Sequence, residues 1–515
     1  KKGNKKQIIK ISVVAATVCL LATSVNADDA KPKRQLKGNM IEVYNTLPSN
    51  ADTISEVFTK GEFYGRLRMN AFKNDIKAND SWVPDTTKAI GNGTGAQDHS
   101  VIGLGASIIY KTAPFYGVST TLGLYGGYVP GFARPAVEDI GAIKQGHDTF
   151  SRYDVQQDGN WYMYSLALAN LEYKISKTKA IIGRQIFESF LTKSNDTKMI
   201  PNTFEGLVLE MSELPDTKIR GAYFTAQKLR DHTTFHDVLT FNDGTSNWNN
   251  NDDSAIHKGI SFANLRAAGK DTDNALIVAD LQNKSIQNLQ IDVTYGSVPG
   301  LISSLTGELN YQINIGDGMT LTPGVRYMKQ MDNGGGAVGG ASLTGELGRD
   351  KTPASNLGYK DRYTLDSSLA MARLVLKAGA LKAQIAYSAV GDEADIVAPW
   401  RGFPTGGYTR AMAQYNWRAN TKTTAAEVHY DFNKAGLIPG FSAMARYAMQ
   451  NFDEAKQAGG VQADSNILHM DFIENITKDF SAKLRIGLVS ADDRVKVGAG
   501  DKDSYNEYRF ELNYL

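Results

Sequence analysis

Charged residues recur at alternate positions along several stretches of this 515-residue chain. Arg66 and Arg68 are two apart, Arg509 stands between Glu507 and Glu511, and Glu427, His429 and Asp431 keep the same rhythm. Arg326, Arg373, Arg446 and Arg485 each stand between apolar neighbours. So do the acids Glu172, Glu210, Asp280 and Asp292, with Glu308 between Gly307 and Leu309. The planar fork of an arginine binds carboxylates bidentately, and fixed charges along a watery passage orient dipolar solutes and steer ions. This is chemistry of binding and passage, in which no bond need break.

Other motifs carry less. In DHTTFHD (231–237) the two histidines lie four apart and would clasp a divalent metal on a helix. FNDGTSNWNNNDDS (241–254) is a stretch that attracts Ca²⁺ or lipopolysaccharide-bridging cations. Both fall in the longest polar joint of the chain, where a solvated loop is the better reading, and no metal site is expected. The glycines near 335 read as loop filler, and no phosphate-binding Walker loop is present. A phospholipase-like barrel needs Ser and His together on its lipid face, whereas His429 and His469 have the opposite parity. Neither an enzyme nor a cofactor is expected.

The elements that position these charges are strands. In LTGELNYQINIG (305–316), Leu305, Leu309, Tyr311, Ile313 and Ile315 share one parity, and Thr306, Glu308, Asn310, Gln312 and Asn314 the other. Period two sustained so long excludes a helix. Residues 62–70 and 480–488 repeat it. Short joints (111–114, 176–178, 214–217, 316–318, 377–380, 433–440 and 477–479) alternate with long polar ones (about 73–98, 129–159, 229–272, 331–361, 391–421, 452–463 and 491–501). Outer-membrane barrels have short periplasmic turns and long outer loops. Strict alternation requires ALIVADLQ (275–282) to be a strand despite inward Leu276 and Val278, 297–303 to be a short outer loop, and 408–421 to be loop. The prediction is an all-β chain: a transmembrane antiparallel β-barrel of 18 strands with both ends in the periplasm. On the lipid-facing parity, Phe63, Tyr116, Tyr173, Phe432, Phe441, Phe480 and Tyr514 fall near periplasmic strand ends, as an interfacial girdle would.

Charge and termini agree. Lys1, Lys2, Lys5, Lys6 and Lys10 precede an apolar run ending at Val25-Asn26-Ala27, the pattern of a signal peptide cleaved near Ala27. Five of the 56 basic residues and none of the 55 acidic ones lie in that leader, so the balance falls from +1 to −4, which excludes nucleic acid as a partner. The only cysteine, Cys19, leaves with it. The expected organisation is leader 1–27, periplasmic extension 28–60 with a short amphipathic helix near 52–59, and barrel 61–515. A plug domain of the kind energised receptors carry does not fit in 28–60. The end YRFELNYL resembles the signal read by the barrel-assembly machinery, with a terminal Phe expected beyond Leu515.

GRQIFESFLTKSNDTKMIPNTFEGLVLE (183–210), DIVAPWRGFPTGGYTRAMAQYNW (395–417) and YDFNKAGLIPG (430–440) resemble the OprD-type substrate-specific porins, in wording nearest the divergent branch of campylobacter-like Gram-negative bacteria. The resemblance implies an outer-membrane channel for passive diffusion of small hydrophilic solutes, organic acids or amino acids among them, with loop 3 folded inward. It assigns the constriction to about 188–203, with Lys193, Asp196, Lys198 and Pro201, and a second contribution to loop 7, with Asp392, Asp395 and Arg401. It also implies a basic ladder, read here as Arg66, Arg68, Arg446, Arg485 and Arg509 on one sector, with Arg326 and Arg373 outside it. Glu172, Glu210, Asp280, Asp292 and Glu308 face that sector. Outer-membrane lipid and lipopolysaccharide are the expected surroundings, and a homotrimer, common among porins, has no interface marked in the sequence. A surface adhesin that displays loops and conducts little is the competing reading.

Overall fold

The computed structural model describes residues 33–37, 41–77, 83–84, 93–143, 145–194, 199–240, 257–348, 355–400, 402–412, 415–456, 463–493 and 503–515. The leader with Ala27, the 241–254 stretch, Asp196, Lys198 and Arg401 lie outside the described residues.

Eighteen antiparallel strands close into a barrel. In chain order they are β1 (Glu62–Ile76), β2 (His99–Lys111), β3 (Val118–Tyr128), β4 (Tyr162–Ile175), β5 (Thr178–Gln185) and β6 (Thr203–Met211). They continue as β7 (Thr217–Lys228), β8 (Leu276–Asn283), β9 (Leu289–Val298), β10 (Ile302–Tyr311, prolonged by Ile313–Gly316), β11 (Met319–Asp332) and β12 (Ser367–Ala378). The last are β13 (Leu381–Val390), β14 (Lys422–Asp431), β15 (Phe441–Asn451), β16 (Ser465–Asn475), β17 (Phe480–Ala491) and β18 (Tyr505–Tyr514). β18 closes onto β1, with Tyr514 opposite Leu67 as the last pair at the periplasmic end. Most strands have the nine or more residues that a tilted strand needs to cross a bilayer. Closure leaves no barrel edge unpaired in lipid.

Both faces follow the alternation in the sequence. Phe63, Tyr116, Tyr173 and Tyr514 are exposed, and the girdle rings contact one another in the pairs Phe432–Phe441 and Phe480–Tyr514. The inward parity carries Arg66, Arg68, Arg326, Arg446, Arg485 and Arg509. β8 is a strand as the alternation of joints requires, and its inward Leu276 and Val278 have a physical reason. They belong to an apolar cluster in which wall residues such as Phe224, Met328 and Met371 meet Phe187, Leu191, Val238, Ile260, Val338, Ile396, Trp400, Phe403 and Trp417 from the long loops. The loops fold back into the barrel and need apolar wall to rest on. The glycines near 335 are likewise more than filler. A Cβ at Gly335 or Gly336 would run into the backbone of Leu301 or Tyr363, so this loop requires glycine to reach its neighbours.

Ahead of β1, a two-stranded hairpin pairs Arg34–Lys37 with Ile41–Tyr44. The expected short helix follows at Ile54–Thr59, capped by the Thr53 side chain, which accepts from the Glu56 N–H.

Candidate functional site

Barrel closure brings the five arginines of the basic sector onto one wall. Arg66 and Arg68 lie on β1, beside β18 with Arg509, β17 with Arg485 and, beyond β16, β15 with Arg446. Arg485 and Arg509 stand directly opposite each other across the β17–β18 pair. Strand register also sets their partners. Arg446 faces Glu427 and ion-pairs with it. Arg485 faces Asp471 and grips it with two hydrogen bonds of 2.7 and 2.8 Å. Arg509 donates to Glu507 at 2.7 Å and lies 3.6 Å from Glu511. Arg66 donates through Nε and Nη2 to the neutral amide oxygen of Asn513, at 3.2 and 2.6 Å. The stem of Arg68 runs over Gly105, where any Cβ would strike it.

Two cations that sequence reasoning passed over share this wall. Lys483 lies 3.0 Å from Asp471, and Lys382 lies 3.9 Å from Glu427. Their signal was legible as the same inward parity as Arg485 and Gln384. At the periplasmic end Lys382 lines a cavity of about 660 Å³ together with Lys377, His429, Asp431 and Lys434.

The facing sector is mixed in sign, not an acidic wall. Glu172 and Glu210 both lie 3.8 Å from Lys179, and Glu210 is 2.9 Å from Lys218. Asp280 pairs with Arg220. Glu308 holds both Arg326 and Arg373, and Asp292 accepts from Gln290. Inward parity places acids and bases on the same face of neighbouring strands, and they pair locally between β4 and β5, β7 and β8, and β10 and β11.

Several of these arginines also fasten the loops. Arg220 donates to the Glu188 carbonyl at 2.7 Å and stacks over Phe187, which fixes the start of loop 3. Arg326 donates to the carbonyls of Pro404 and Gly406 and sits 4.4 Å from the Phe190 ring, so it touches loops 3 and 7 together. Arg373 donates to the Gly407 carbonyl and stacks on Tyr408 at 4.2 Å. Arg446 donates to the Arg410 carbonyl.

The described parts of 188–203 lie against inward-facing wall residues. Met199 and Ile200 pack with Tyr64, Ile109, Tyr125 and Met163. Gly103, Gly105 and Gly127 leave bare wall for Met199, where a Cβ at Gly127 would come within 2.9 Å of it. Lys193 lies 3.3 Å from Glu188, and the Pro201 carbonyl accepts from the buried Lys228 ammonium at 3.0 Å. Loop 7 meets this segment at Gly402, which has no room for a Cβ against the Leu191 backbone. Asp395 is fully buried and serves as a tether. It accepts from the N–H groups of Leu343 and Ala419 and from the Tyr359 hydroxyl, with Arg418 at 3.5 Å. Asp392 bridges Lys456 at 2.7 Å and Lys360 at 3.0 Å. Burial opposes its ionisation, but the hydrogen bonds from both lysines win and hold its carboxyl below the usual range.

His232 and His236 are in contact, Nδ1 to Nε2 at 2.7 Å. Burial, helped by the charge of His232, lowers His236 well below the ordinary histidine value. Among the described residues no group of three or more His, Cys, Asp and Glu is placed to hold a metal.

Residues 141–515 match the family described as outer membrane porin, OprD family. Among solved structures, OccAB1 of Acinetobacter baumannii aligns with TM-score 0.65 at 15% identity, over 91% of this chain and 99% of that one. OccAB3 of the same organism aligns with TM-score 0.65 at 14% identity, over 89% and 99%. OpdK of Pseudomonas aeruginosa, in a structure with vanillate, aligns with TM-score 0.61 at 13% identity, over 88% and 98%. No curated protein matches by sequence. At these identities the structural likeness speaks for the fold, while the family match speaks for membership.

Proposed function

The chain belongs to the OprD family of outer membrane porins, and from that premise we propose that its channel favours small carboxylates, drawn by the basic wall and screened where loops 3 and 7 meet. The observation that carries this reading is the convergence of Arg66, Arg68, Arg446, Arg485 and Arg509 on strands that become neighbours only through closure. Their ion pairs do not forbid it. A guanidinium has five N–H donors, and one that grips a single carboxylate keeps donors for a second. The wall thus offers a series of exchangeable positions, weak enough for a solute to leave each one.

The constriction is assigned to 188–203 with loop 7, where Lys193 and Glu188 bring both signs of charge. Barrel assembly through the C-terminal strand and a setting in lipid and lipopolysaccharide belong to the same reading, as does any homotrimer. The test is the triple variant Arg66→Gln, Arg68→Gln, Arg485→Gln in liposomes. Flux of a small dicarboxylate should fall more than that of a neutral sugar of similar size. Equal loss for both solutes would mean that these residues only shape the pore.

A further inference from the structure

We propose that the paired N-terminal strands Arg34–Lys37 and Ile41–Tyr44 are a second constriction at the periplasmic exit of the channel, held inside the barrel and not below it. The inference rests on the channel reading above and adds an element to it.

Tyr44 meets two residues of the inward parity. Its ring makes an edge contact with Tyr64 of β1 at 4.7 Å, and the ammonium of Lys111 of β2 lies 4.5 Å over its face. It also packs on the cluster that contains Ile109, Tyr125 and the loop 3 residues Met199 and Ile200. A side chain hanging below the rim would touch none of these. Arg34, paired with Tyr44 across the hairpin, is only 2% exposed and donates through Nη2 to the Gly65 carbonyl at 3.2 Å. Two more ties complete the fastening. The Tyr64 hydroxyl donates to the Thr46 carbonyl at 2.6 Å, and Lys33 ion-pairs with Glu62.

The hairpin is fastened beside the periplasmic end of β1, next to Arg66, through Glu62, Tyr64 and the Gly65 carbonyl. Beyond it the chain passes beneath the β2–β3 turn, where Ala51 N–H donates to the Pro114 carbonyl. It then reaches the outside of the wall, where the hydroxyl of Tyr110 donates to the Phe58 carbonyl. The segment therefore crosses from lumen to rim, and its lumen part takes space from the exit. Two paired strands about 4.8 Å apart, in a layer about 10 Å thick, cover roughly 100 Å² of the cross-section.

The test uses the full chain in a Cys19→Ser background, with a cysteine placed at Tyr44 or, as control, at Leu47, which is 62% exposed. A bulky maleimide added from the periplasmic side should lower the single-channel current of Tyr44→Cys in one step and leave Leu47→Cys unchanged. Deleting residues 34–44, in protein shown to be folded by its heat-modifiable gel mobility, should raise single-channel conductance above the parent's. It should also admit larger neutral solutes. Labelled Tyr44→Cys and the deletion variant both conducting like the parent would overturn the inference. A parent chain that does not conduct at all would instead overturn the channel reading.

Discussion

Replacing Asp471 with Asn is the sharpest perturbation of the basic wall. Asp471 takes two hydrogen bonds from Arg485 and has Lys483 at 3.0 Å and His469 at 3.0 Å. Asparagine keeps the shape and one acceptor oxygen but removes the charge, so the sector gains one positive charge with little change in volume. For an anion passing about 8 Å away, one unit charge in water is worth about 0.5 kcal/mol. At 0.01 M salt the screening length is about 30 Å, most of that energy survives, and the local anion concentration rises roughly twofold. At 1 M salt the screening length is about 3 Å and almost nothing survives. Reversal potentials across a planar bilayer with a tenfold salt gradient read this directly. Asp471→Asn should shift permeability toward anions by about twofold in the dilute regime and not at all near 1 M. A folded variant with parental selectivity at low salt would refute the placement of Arg485 on the permeation path.

Arg220→Met should cost about 3–5 kcal/mol, because it strands the buried Asp280 carboxylate, and should also free the Glu188 end of loop 3; thermal melting of the purified barrel and current noise check the two effects. Gly402→Val forces loop 7 off the Leu191 backbone, so single-channel conductance should change while the melting temperature of the barrel wall stays near the parent's. Acidification should loosen the outer loops through His257. Its neutral ring accepts the N–H of Gly259 and Ile260 at Nδ1 and donates from Nε2 to the Gly340 carbonyl, and burial lowers its pKa from 6.5 to about 4. A depressed pKa contributes stability above the unfolded value that is lost as pH falls through the folded one, here up to about 3 kcal/mol between 6.5 and 4. Protease cleavage of the outer loops should therefore rise across that window, and rise less steeply in His257→Gln.

The wall of this protein was open to reading because a barrel strand shows one parity to lipid and the other to water. Parity placed Arg446 and Arg485 inward, and the alternation of joints made 275–282 a strand even though Leu276 and Val278 broke its pattern. The same two residues show what parity does not carry. Their burial goes with loops that return into the lumen, bringing residues as distant in sequence as Phe187 and Trp417 into one cluster with no period to reveal it. Asp395 is the clearest case. By composition it sat in a polar loop, and it is a fully buried tether gathered by two backbone N–H groups and the Tyr359 hydroxyl. Mixed charge on the facing wall was missed for another reason. Lys179, Lys218 and Arg220 have the same inward parity as the acids beside them, so parity alone marks the face and not the net sign.

Reconstituting the purified full chain in a planar bilayer and recording single-channel current and reversal potential tests the central claim most directly. Discrete, persistent conductance steps, with an anion preference at low salt that fades toward 1 M, are the predicted result. A folded barrel that gives no steps, or one that is cation-selective at low salt, would contradict a carboxylate-favouring porin.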